Sequence, residues 1–183
     1  MPRKRKQREE HVYIEAKIES YEASLDASIN PYAFEPQYAW NLHDDDAVLQ
    51  FTSNLSVTAK LIYPEKRIGE EYEITFYGGR TSSRDLGLTL RDIHVRDEHG
   101  ARKYRQYRGN EIPVYSPPKG LGLLEKVRGE PRWHGWLTAA PRFVTDALIL
   151  LGQSQPMFLT IHEHKEGLAR WIRNVSLKTV EAS

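Results

Sequence analysis

Alternation between apolar and polar positions is the main pattern along this chain. Val12, Ile14, Ala16 and Ile18 alternate with Tyr13, Glu15, Lys17 and Glu19, a period of two that predicts a half-buried strand. Asn30-Pro31 and Pro36 then predict a loop over residues 26–36. A strand is expected near Val48–Phe51, and a further alternating stretch runs through Leu55, Val57, Ala59 and Leu61. The run "EYEITFYGG" reads as another strand, rich in aromatic and β-branched residues and stopped by Gly78-Gly79.

The middle of the chain follows the same pattern. "LGLTLRDIHVRD" alternates, and Asp97-Glu98-His99-Gly100 predicts a hairpin turn that returns along Arg102–Arg108. Ile112-Pro113-Val114-Tyr115 contains proline and belongs at a sheet edge or outside one. "SPPKGLG" reads as a loop and "RWHGWLTA" as a strand. The period changes only at Pro141–Leu151. There Phe143, Val144, Ala147, Leu148 and Leu151 form a helical stripe, Pro141 suits the first turn and Gly152 supplies a stop. "PMFLTIHEH", the turn "KEG" and "LARWIRNVSLKT" form a closing hairpin. The expected fold is mainly β: an antiparallel sandwich or partly open barrel of about seven to nine strands, with one packed α-helix over 141–151. Residues 1–10 are expected to form a disordered basic tail and residues 11–183 a single β-rich domain.

Composition narrows the function classes. With 39% apolar residues and ten tyrosines the chain is not disordered throughout. No run of about 18 apolar residues predicts a membrane helix, and no apolar segment follows the basic N-terminus as a secretory signal requires. The chain has no cysteine, which removes disulfides, thiolate metal sites and cysteine nucleophiles and fits a cytoplasmic protein, or a nuclear one in a eukaryote.

Charge changes the picture more. The net charge of +1 conceals fourteen acids against four bases in residues 9–79, and thirteen bases against seven acids in residues 80–142. Segregation of this kind bears on partners and steering. Its alternative is that acidic and basic strands lie side by side and neutralise each other.

The basic segment supplies the candidate interface. Along a strand, Arg102, Tyr104, Gln106 and Arg108 share one face, and Lys103, Arg105 and Tyr107 share the other. Neither face buries cheaply, because an unpaired buried charge costs several kcal/mol. The guanidinium and ammonium groups suit phosphates, and Tyr104 and Tyr107 suit stacking on bases. Arg3, Lys4, Arg5 and Lys6 have the composition of a nucleic-acid arm or a nuclear localisation signal. The reading is a non-enzymatic module binding DNA or RNA, without a cofactor and without catalytic residues. The alternative is a structural or regulatory protein-interaction subunit with an acidic protein partner, or a homo-oligomer held by its opposite-signed segments.

A weaker alternative is a metal-dependent hydrolase. His162 and His164 fall on one side of a strand and form a first metal pair, with His134 or Asp44–Asp46 as candidate further ligands. Motifs of common enzymes are missing: there is no nucleophile elbow, no phosphate loop with lysine, and no H-E-x-x-H helix.

Overall fold

The computed structural model describes residues 10–29, 49–78, 89–153 and 155–179. In chain order the strands are β1 (Glu10–Ile29), β2 (Leu49–Tyr63), β3 (Glu71–Gly78), β4 (Tyr104–Tyr107), β5 (Asn110–Pro113), β6 (Gly122–Lys126) and β7 (Arg132–Thr138). The helix α1 (Pro141–Leu151) follows, then β8 (Phe158–Glu166) and β9 (Ala169–Lys178). The chain divides into two compact units, residues 81–119 and the remainder.

The larger unit is a closed barrel with strand order β1-β2-β3-β7-β6-β9-β8. Between the two expected architectures, closure decides for the barrel. β1 and β8 form the seam, paired from Glu10↔Lys165 to Lys17↔Phe158. Every neighbouring pair is antiparallel except β3 and β7, which run parallel from Glu71↔Arg132 to Tyr77↔Thr138. The sheet is therefore mixed. The long excursion between these two strands lets the chain return in the same direction.

The period-two alternation points one side of each strand into the barrel. Leu55, Val57, Ala59 and Leu61 of β2, and Tyr72, Ile74 and Phe76 of β3, are buried, together with Ile14, Leu159, Ile161 and Ile172. Each fully buried large aliphatic or aromatic side chain contributes about 1.5–3 kcal/mol. The stripe on α1 buries Val144, Ala147 and Leu151, and Phe143 meets Phe76 with ring centroids 5.4 Å apart.

Several elements depart from the local signals. β1 runs on to Ile29 through the start of the expected loop, and the two expected stretches between Val48 and Leu61 are one strand, β2. Beyond Lys17 and Ser53 these two strands pair only with each other among the described residues. On that ribbon Leu25 and Phe51 are 81% and 67% exposed. The expected "SPPKGLG" loop gives way to β6 at Gly122, where a Cβ would lie 2.1 Å from the Trp136 carbonyl oxygen. The G-x-G run thus permits close strand approach.

Candidate functional site

The 81–119 unit, described from Thr89, carries the candidate interface. Asp97 accepts hydrogen bonds from the backbone amides of His99 and Ala101 at 2.9 Å, which fixes the expected turn. The flanking segments are not a regular hairpin. Residues 90–93 turn, and only the bridges Arg96↔Arg102 and His94↔Tyr115 form. From Thr89 on, the alternation in "LGLTLRDIHVRD" is not that of a strand, because the turn at Thr89–Asp92 interrupts it, and residues 86–88 lie outside the described residues. There the Asp92 carboxylate accepts from the Thr89 hydroxyl (2.6 Å) and amide (2.8 Å), and both bonds hold its pKa below the ordinary carboxylate range.

The ordered hairpin lies one step further on. β4 pairs with β5 from Tyr104↔Pro113 to Tyr107↔Asn110. Its turn is Arg108-Gly109, with φ of 50° and 83°, the two positive values of a type I′ turn. Arg108 therefore sits in the tight turn instead of at the end of a strand, which corrects its expected place beside Gln106. Cross-strand partners share a face, so Tyr104, Gln106, Glu111 and Pro113 lie on one side. Arg105, Tyr107, Asn110 and Ile112 lie on the other.

All six residues of the proposed surface, Arg102, Lys103, Tyr104, Arg105, Tyr107 and Arg108, are exposed. Within the described part of the unit no carboxylate forms an ion pair with any of the four cations. The Arg108 guanidinium lies over the Tyr107 ring, 5.2 Å from its centroid. Tyr104 is less available, because its ring packs edge-on against His94 at 5.4 Å. His94 also meets Tyr115 at 5.2 Å and places Nε2 3.1 Å from the Lys103 carbonyl oxygen. It is the one buried side chain among the described residues of this unit. Arg3, Lys4, Arg5 and Lys6 lie outside the described residues.

In the barrel, acidic and basic segments do neutralise each other. Arg132 reaches Glu71 at 3.1 Å and Glu73 at 4.0 Å, and His134 reaches Glu73 at 3.2 Å. His134 is thus engaged on β7, with β6 and β9 between it and β8. The imidazole that does join His162 and His164 is His11, placed there by the β1/β8 seam. His11 Nδ1 lies 3.0 Å from His162 Nε2, and its ring stacks on His164 at 4.7 Å and 12°. Tyr13 also stacks on His162, at 4.4 Å and 11°. His11 and His162 meet nitrogen to nitrogen, whereas His11 and His164 meet face to face. Among the described residues no group of three or more His, Asp or Glu side chains converges as a metal site. Asp44–Asp46 fall outside them.

The position of His11 was not legible in the sequence, because a closing seam joins residues some 150 positions apart (Tyr13↔His162). The chain matches no family model, no curated protein and no solved structure.

Proposed function

We propose that the protein is a non-enzymatic binding module that engages nucleic acid through the basic hairpin of its 81–119 unit. One observation carries the reading: the β4–β5 hairpin and the residues leading into it expose four cations, unpaired within the described part of their unit, beside a tyrosine ring layered with a guanidinium. Arg102, Lys103, Arg105 and Arg108 meet phosphates, and arginine adds bidentate geometry to charge. Tyr107 is the stacking ring, because Tyr104 already packs on His94. The alternative, copies of the chain joined by opposite-signed segments, has less charge to draw on. Glu71 and Glu73 are already paired with Arg132 and His134.

Fluorescence anisotropy of a labelled single-stranded oligonucleotide, titrated with the full chain at rising salt, tests this. Log affinity falls by about 0.7 per decade of salt for each phosphate contacted. Arg105→Gln lowers affinity across all sequences and reduces that slope by roughly one contact's share, whereas Tyr107→Ala weakens binding and leaves the slope unchanged. Absence of binding at low salt removes the proposal.

A further inference from the structure

The outer face of the barrel seam carries a cleft of about 1040 Å³ that the hairpin reading does not use. Its floor is two cross-strand rungs. Tyr63, Glu15, Thr160 and Ser176 line up across β2, β1, β8 and β9, and Tyr13, His162 and Asn174 form the neighbouring rung. Adjacent strands lie about 4.8 Å apart, so the floor is a grid of hydroxyl, carboxylate, imidazole and amide groups at that spacing. The β2–β3 connection rises on one side and contributes Glu65 and Ile68 to the lining.

The residue types in the cleft select a class of occupant. Tyr13 and Tyr63 are 66% and 56% exposed, so their rings lie at the surface of the cleft instead of in the core, Tyr13 with one face stacked on His162. Exposed aromatic faces pack against apolar C–H surfaces, and their hydroxyls keep polar contacts. Thr160 Oγ1 and Ser176 Oγ hydrogen-bond each other, which leaves that pair one proton to donate and several lone pairs to accept. Glu15 and Glu65 stand against a single lysine, Lys178, so the lining has no excess of cations for phosphate or carboxylate ligands. A polar floor with flanking rings and no excess of cations fits a ring that has apolar faces and carries neutral hydroxyls at its edge.

We infer that this cleft is a binding site for a neutral saccharide, with hydroxyls bound by Thr160, Ser176 and Asn174 and the ring face held against Tyr13 and Tyr63. The inference stands apart from nucleic-acid binding, since it uses the barrel and a cleft without an excess of cations.

Two-dimensional amide NMR of the full chain tests it with glucose, galactose, N-acetylglucosamine and cellobiose as probes. Uridine and phenol serve as separate arms. The expected result is saturable shifts at the amides flanking Thr160 and Ser176 with at least one saccharide. Thr160→Val combined with Ser176→Ala keeps the folded spectrum and weakens that saccharide about tenfold, the effect of losing one to two hydrogen bonds. Tyr63→Ala, at an exposed position, weakens it independently. The inference is overturned if no saccharide gives saturable shifts, if only uridine or phenol does, or if both variants bind the saccharide as the parent does.

Discussion

Glu163 has no exposed surface, yet it points into one end of the barrel as a charged residue. Two guanidinium groups answer it: Arg67 Nη1 donates at 3.0 Å, and Arg170 Nη1 donates to the other carboxylate oxygen. Arg67 also donates from Nε to Glu70 at 2.8 Å and to the Tyr72 hydroxyl. Trp133 donates from its indole to Glu70 at 2.9 Å, and its ring lies 5.2 Å and 4.6 Å from the two guanidinium carbons. Burial disfavours the charge on Arg67, but Tyr72, Glu163 and Glu70 outweigh it and raise the pKa above the ordinary value. Burial likewise pushes the Tyr72 phenol up, so it stays neutral. Such a cluster is costly to break and cheap to replace as a whole. Glu163→Gln is therefore expected to cost about 3–5 kcal/mol, because it leaves Arg170 without its carboxylate and Arg67 with Glu70 alone. Replacing Glu163, Arg67 and Arg170 together by leucine and methionines should recover most of that loss. Urea unfolding of the single and triple variants checks this, and equal destabilisation in both would refute it.

At the scale of elements, the β1/β8 seam closes the barrel and also gathers three imidazoles. His162 meets His11 and Tyr13 from β1 and His164 from its own strand, with Arg173 of β9 nearby. His164 is buried, and neither of its ring nitrogens has a hydrogen-bond partner among the described residues. Desolvation first, then the charges of His11, Arg173 and His164, hold the His162 pKa below the ordinary imidazole value. The folded protein therefore takes up this proton less readily than the unfolded chain. Its contribution to stability is present above the unfolded imidazole pKa of about 6.5 and is lost as the pH falls through that value towards the folded pKa. The urea midpoint should drop over that window, and His162→Phe should flatten the drop. An unchanged pH profile in the variant would contradict the assignment.

The same seam shows what the sequence could and could not reveal about the elements. β3, β7, α1 and the β8/β9 hairpin were legible because each carries its own period and its own turn residues. The far half of β1 was not, because Asn30-Pro31 signals a break one residue after the strand ends and small residues blur the alternation. β6 was hidden by the glycines that let it approach β7 so closely. The exposure of Arg102–Arg108 could be argued from charge alone. The turn at Arg108-Gly109 could not, because arginine seldom adopts the positive φ of 50° found there.

For the whole molecule, register sets how far apart the two barrel strands that bracket the smaller unit in sequence lie. Phe76 at the end of β3 pairs with Leu137, which also pairs with Gly122 at the start of β6. The chain thus leaves and re-enters the barrel across two strand spacings, about 10 Å. All of the buried apolar side chains among the described residues belong to the barrel and α1, and the 81–119 unit buries only His94. No described residue of the smaller unit therefore belongs to that core. Replacing residues 81–119 by a four-residue Gly-Ser linker, which spans up to about 13 Å, should leave a barrel that unfolds cooperatively. Its amide spectrum should retain the signals of the seam and the cleft, and oligonucleotide binding should disappear. The two readouts separate the claims. A shortened chain that fails to fold shows that the barrel depends on the excursion, and one that folds but still binds nucleic acid moves the interface away from the hairpin.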